Sequence, residues 1–201
     1  MHEINSKVKA DVITHRIAVQ AAERFKTGLV GAELGIAYGG GVEAIGKLWR
    51  GHGVIHGFDT FTGHPTQLAY SQEAWEAKCM TPDYIGYGYE SLTYEYQRRQ
   101  LDAQGLDNVI LHKGLINEHS LDDIPVLHYA LLDLDFIVAM VLGYTLVRTR
   151  IVPGGYLCLH DVVPRGNMIG LWGLYQEIVA GGEWSTEGVY MENYLVVLQR
   201  K

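Results

Sequence analysis

The chain has 201 residues, 48% hydrophobic and 19% charged, enough apolar material for one globular domain spanning 1–201 with an ample core. Its formal charge of −7 has no compensating basic block, since Arg98-Arg99 and Arg148-x-Arg150 are short, and this excludes nucleic acid as an expected partner. No apolar run approaches the roughly 20 residues that span a bilayer, and the charged residues Glu3, Lys7, Lys9, Asp11 and Arg16 rule against a signal peptide. The expectation is a soluble, cytoplasmic protein with no membrane partner.

Apolar positions at Val8, Val12, Ile13, Ile17, Val19, Ala22 and Phe25 predict a leading helix over 7–26 that stops at Thr27-Gly28. A strand over 29–34 then breaks into glycines: Glu33-x-Gly35-x-x-x-Gly39, followed by a helix over 41–50. Glycine permits a sharp turn and close approach of a ligand to main-chain N–H groups, and the helix presents the positive end of its dipole. The spacing is not the G-x-G-x-x-G of dinucleotide enzymes. The next strand, 54–59, ends in Asp59, whose carboxylate can accept from both hydroxyls of a ribose. The pair favours a nucleoside-containing cofactor over a merely structural turn.

Residues 60–88 read as irregular, followed by a helix over 90–104 and strands over 108–112 and 129–135. A helix over 138–150, a strand over 155–160 and a helix over 168–180 come next. Alternation of short apolar strands with helices implies a parallel sheet with helices on both faces. The last two runs, Trp184–Tyr190 and Tyr194–Arg200, are separated only by Met191-Glu-Asn193, so they should form an antiparallel hairpin. Cys79 and Cys158 are isolated thiols, forming neither a metal pair nor a disulfide framework.

Two strands end in ionisable groups: Leu132-Asp-Leu-Asp135 and Leu159-His-Asp161. If the strands are neighbours, their tips lie about 5 Å apart. Three carboxylates and an imidazole then repel one another unless protons or a cation intervene. Such donors suit Mg²⁺, and the imidazole also admits Mn²⁺ or Fe²⁺. Strand alternation puts Asp133 and Asp135 on one face with Leu134 on the other, although one of the two acids could instead cap the following helix. Asp135 and Asp161 also fit as turn residues; Asp133, embedded in an apolar strand, fits that role less well.

These residues resemble class I S-adenosylmethionine-dependent methyltransferases, whose first motif matches Glu33, Gly35 and Gly39 and whose ribose acid matches Asp59. Within them, Phe58-Asp-Thr-Phe-Thr-Gly-His-Pro65 is similar to a loop of the macrocin O-methyltransferase family. Leu132-Asp-Leu-Asp135 resembles that family's Leu-Asp-Gly-Asp, and Pro153-Gly-Gly-Tyr-Leu-Cys-Leu-His-Asp161 resembles its Gly-Gly-Tyr strand ending in two acids. The likeness covers roughly residues 29–161. It implies a Rossmann-like, seven-stranded methyltransferase sheet, parallel except for the C-terminal antiparallel hairpin. It also implies S-adenosylmethionine held by Glu33, Gly35, Tyr38, Gly39, Asp59, Thr60, Gly114, Leu115 and Asp133, and a divalent metal on Asp133, His160 and Asp161. The expected activity is O-methyl transfer to a small-molecule hydroxyl, with Asp133 and His160 as catalytic residues.

The chain departs from that pattern at two places. His160 stands where the family has Asp, which either changes the preferred metal or makes this position a general base with no metal. Leu134 replaces the family's Gly. The Asn/Asp-Pro-Pro-aromatic segment of nucleic-acid amino-methyltransferases does not occur at Leu132–Phe136. The stretch 60–96 carries Tyr70, Trp75, Tyr84, Tyr87, Tyr89, Tyr94 and Tyr96, suited either to a lid lining a sugar or ring pocket or to packing and a homodimer contact. His64, beside the expected cofactor, is a further candidate. An NAD-dependent oxidoreductase and a non-catalytic cofactor-binding protein are the rival readings.

Overall fold

The computed structural model describes residues 10–62, 93–164 and 169–201. In chain order these form α1 (Ala10–Phe25), β1 (Leu29–Leu34), α2 (Gly40–Leu48), β2 (Gly53–Asp59), α3 (Tyr94–Ala103), β3 (Val109–Lys113) and β4 (Leu127–Leu132). Then come α4 (Ile137–Arg148), β5 (Ile151–Leu159), α5 (Ile169–Ala180), β6 (Trp184–Tyr190), a 3₁₀ turn at Met191–Asn193 and β7 (Leu195–Arg200).

Seven strands form one sheet in the order β3-β2-β1-β4-β5-β7-β6. The first five are parallel, and β7 runs antiparallel to both β5 and β6, as expected for the terminal hairpin. Alternating side chains feed two cores. Ala32, Leu34, Ala130, Leu132, Leu157 and Leu159 face Met140 of α4 and Leu171 of α5. Leu29, Tyr129, Leu131 and Cys158 face Ile13 of α1, Ile45 of α2 and Leu101 of α3. Helices therefore cover both faces, and the central strands β1, β4, β5 and β7 are buried and largely apolar, whereas the edge strands β3 and β6 carry exposed residues. The order of strand addition reverses at β1 and β4, which stay parallel, so their carboxyl ends form the crevice in which such sheets bind ligands.

Several boundaries differ from the sequence reading. The strand expected over 129–135 runs from Leu127 to Leu132, because Asp135 adopts a left-handed φ of 61° and breaks the pleat. Alternation therefore does not govern Asp133 and Asp135, and the N-cap of α4 falls on Phe136. β5 starts at Ile151 rather than 155, since Ile151 already pairs with Leu127 ahead of an irregular register shift. On α1 the buried stripe is Ile13, Thr14, Ile17, Ala18 and Ala21, while Val12 is exposed. Most of the aromatic stretch, with His64, Tyr70, Trp75, Tyr84, Tyr87 and Tyr89, lies outside the described residues; Tyr94 and Tyr96 belong to α3. No helix among the described residues is long and apolar enough to cross a membrane.

Candidate active site at the carboxyl edge of the sheet

The glycine loop after β1 is shaped by the protein's own backbone. A Cβ on Gly35, which has φ 87°, would stand 1.9 Å from the carbonyl oxygen of Asp133, so glycine is required where β1 and β4 end side by side. Asp133 N–H in turn donates to Leu34 O at 2.9 Å. Beyond Gly35 a turn closes through Gly39 N–H to Ile36 O at 2.7 Å, and its first central residue, Ala37, has φ 45°. Glycine ordinarily fills such a position.

Asp59 secures this turn. Its Oδ2 accepts from the N–H groups of Ile36 at 3.1 Å and Ala37 at 3.0 Å, while Oδ1 accepts from Phe61 N–H at 2.9 Å. A carboxylate has about four lone-pair sites, so room remains for ribose hydroxyls beside these bonds. Thr60 and Gly114 adjoin Asp59: the Thr60 hydroxyl lies 3.4 Å from Oδ1, and Gly114 N–H donates to Asp59 O at 2.9 Å. Tyr38 and Leu115 are exposed, 65% and 49%, on the same carboxyl edge.

Glu33 lies deeper. It is 5% exposed, and its carboxylate occupies the space that a side chain on Gly41, at the start of α2, would need. Burial, reinforced by the charges of Asp133, Asp11 and Asp59, raises its pKa well above the ordinary carboxylate range. Oε2 has no hydrogen-bond partner among the described residues.

At the ends of β4 and β5 the second group of predicted residues comes together. Leu132 pairs with Leu159, and the next residues bring His160 Nδ1 to 2.9 Å from Asp133 Oδ1 and 3.5 Å from Asp161 Oδ1. One ligand atom from each of the three lies within 4.8 Å of the others. Asp161, like Asp135, is left-handed, with φ 58°. Burial disfavours a charged His160, but hydrogen bonds to Asp133 and Asp161 and their charges override it and push the imidazole up to about 11. Asp135, desolvated and facing Asp133 and Asp161, is pushed well above the carboxylate range. The His160 ring nitrogen thus lies between the Asp133 and Asp161 carboxylates. The cluster relieves its repulsion with protons at the place where a cation would do the same.

The donors also fit a metal. Two carboxylates and one imidazole suit a hard or borderline divalent ion, and octahedral Mg²⁺ with bonds of about 2.1 Å sets adjacent ligand atoms about 3.0 Å apart. Separations of 2.9 and 3.5 Å lie close to that edge length.

Two features escaped the sequence reading. Gln97 of α3 is buried and donates from Nε2 to Ala37 O at 2.5 Å; the detectable signal was its place four residues before Leu101, on the buried stripe of an otherwise polar helix. The turn of the terminal hairpin reaches the site as well, because Val162 N–H, next to Asp161, donates to Tyr194 O at 2.9 Å. Cys158, inside the core beneath the cluster, is pushed up to about 12 by burial and is chemically quiet.

No family model matches the chain, and comparison with curated proteins gave no match. Solved structures do match. The calicheamicin methyltransferase CalS11 aligns with a TM-score of 0.71 at 16% identity, covering 94% of this chain and 78% of that one. The O-methyltransferase NovP aligns with a TM-score of 0.75 at 16% identity, covering 95% and 79%. SMU.1697c, a putative methyltransferase from Streptococcus mutans in complex with SAH, aligns with a TM-score of 0.60 at 9% identity, covering 96% and 99%. Likeness at this level of identity speaks for the fold: the chain shares the fold of these methyltransferases, a mixed seven-stranded sheet ending in an antiparallel hairpin.

Proposed function

We propose that this chain is an S-adenosylmethionine-dependent O-methyltransferase acting on a hydroxyl of a small molecule, with a divalent cation on Asp133, His160 and Asp161. The observation that carries the reading is the junction at Gly35 and Asp133: the glycine loop and the acid cluster share a backbone contact, so a cofactor on one lies next to the chemistry of the other. The charge of −7 argues for a small acceptor over nucleic acid. Neighbours described as a calicheamicin methyltransferase and as a TDP-rhamnose 3'-O-methyltransferase, and one solved with SAH, support the acceptor and cofactor classes.

In the reaction, a lone pair of the acceptor oxygen attacks the methyl carbon. The carbon–sulfur bond breaks with its electrons going to sulfur, leaving S-adenosylhomocysteine. The sulfonium already activates the carbon, so the protein's task is alignment and removal of one proton. Bound at the cluster, a divalent cation supplies Lewis acidity that lowers the acceptor's pKa. With the cation bound, His160 Nδ1 would give up its proton and serve as a ligand beside Asp133 and Asp161, and one of these carboxylates would take the hydroxyl proton.

Calorimetry tests the reading. S-adenosylhomocysteine should bind and NAD should not. Mg²⁺ or Mn²⁺ should bind wild type but not Asp133→Asn or Asp161→Asn, and EDTA should suppress methyl transfer to a panel of sugar and phenol acceptors. Absence of S-adenosylhomocysteine binding overturns the cofactor assignment. Full activity after exhaustive chelation overturns the metal alone.

A further inference from the structure

We propose that Gln97 is a positioning residue for the cofactor, setting the shape of the Ile36–Gly39 turn from α3 without forming part of the reacting centre. The inference rests on the reading that this turn holds S-adenosylmethionine. Its physical basis is the strain in Ala37. A left-handed alanine costs about 1 kcal/mol or more and persists only where its surroundings fix it.

The peptide groups on both sides of Ala37 are held from two directions. From β2, Asp59 Oδ2 takes the N–H groups of Ile36 and Ala37. From α3, Gln97 Nε2 donates to the carbonyl of Ala37 itself, at 2.5 Å. Gln97 is only 4% exposed, so water does not compete for this bond. Its other polar atom, Oε1, has no partner among the described residues and lies 2.6 Å from where a Cβ on Gly39 would stand. The turn therefore needs glycine at 39 partly because the Gln97 amide covers it.

The orphaned oxygen is informative. Burying an amide with one half unsatisfied is unfavourable, and an apolar side chain of the same shape would dock α3 at least as well. What only the amide provides is the donor to Ala37. The frame behind it is firm: Tyr94, one turn earlier, packs edge-on against Phe61 with ring centroids 5.4 Å apart, and Glu95 pairs with Lys113 at the end of β3. Phe61 is itself bound to Asp59 through its N–H. Both holders of the turn thus belong to one connected assembly at the ends of β2, β3 and α3.

Two variants of the full chain test this, with S-adenosylhomocysteine as the probe in calorimetry. Gln97→Met keeps length and apolar packing but removes the donor, and should bind roughly tenfold more weakly. Gln97→Glu turns the donor into a titrating one. Its protonated carboxyl donates to Ala37 O and its ionised form repels it, so the ratio of variant to wild-type Kd should be near one at about pH 5 and rise roughly tenfold by about pH 9. A residue that only packs α3 would change stability without producing that pH-dependent ratio. Wild-type affinity in Gln97→Met, or a flat ratio in Gln97→Glu, overturns the inference. If circular dichroism shows Gln97→Met unfolded, the Glu variant decides. Failure of wild type to bind the probe removes the cofactor reading and this inference with it; binding by wild type and both variants alike removes this inference alone.

Discussion

One backbone oxygen sets the requirement for glycine at position 35. Because a Cβ there would stand 1.9 Å from Asp133 O, the substitution Gly35→Ala displaces the β4 end before any ligand arrives. Its φ of 87° adds strain for any other residue. The expected cost is about 2–4 kcal/mol, read from the urea midpoint, with S-adenosylhomocysteine binding lost in whatever fraction stays folded. Asp59→Asn is milder in shape but removes the charge from bonds to three main-chain N–H groups, and should cost roughly 1.5–3 kcal/mol as well as cofactor affinity. An Asn variant as stable as wild type would show that Asp59 does not hold the turn. Position in the sequence was enough to bring Asp133, His160 and Asp161 together at the carboxyl edge, since that is where a charged residue closing an apolar parallel strand lies. Gln97 was harder to find. Its role depends on a contact sixty residues away in sequence, with Ala37, and no local pattern encodes that pairing.

At the scale of elements, the edge of the sheet carries a titratable pair. His56 on β2 and His112 on β3 lie 2.9 Å apart, Nδ1 to Nε2, and His112 stacks on Phe58 with ring centroids 4.2 Å apart. Burial lowers both pKa values, assisted at His56 by the neighbouring His112, which holds it at about 4; the charge of Asp123 opposes the shift at His112. The unfolded chain thus binds more protons than the folded one below about pH 6.5, so stability is complete above that pH and falls as pH drops towards 4. The slope contributed by each histidine is at most about 1.4 kcal/mol per pH unit, and less after solvent screening. Urea titrations at pH 7 and pH 5 should show the decline, and His56→Gln should flatten it; an unchanged slope in that variant would assign the acid sensitivity elsewhere. The elements themselves were legible where periodicity was strong, as in β1, whose bounds match the sequence reading, and in the terminal hairpin. Ends were missed where a left-handed residue rather than a glycine or proline stops the element, as at Asp135, because such a conformation is imposed by tertiary contacts.

In the whole molecule, β7 is the strand on which both cores depend. It is inserted between β5 and β6 and antiparallel to each, and Leu195, Val196, Val197 and Leu198 are all fully buried. Leu195 and Val197 belong to the core that also holds α1 on one face, while Val196 and Leu198 belong to the core with α4 and α5 on the other. The strand also carries the turn whose Tyr194 carbonyl accepts from Val162, beside Asp161, so the hairpin's register and the acid cluster are mechanically joined. Val197→Ala should therefore cost about 1–3 kcal/mol from lost burial and the cavity left behind. Val197→Asp should abolish cooperative folding, because the described residues of that core around it are apolar and would leave the charge buried. Val126→Ala, at a 39% exposed site, is the control and should change stability by less than about 0.5 kcal/mol. Near-ultraviolet circular dichroism and urea midpoints distinguish these outcomes. Val197→Asp retaining a sharp transition would mean that the two cores fold without β7.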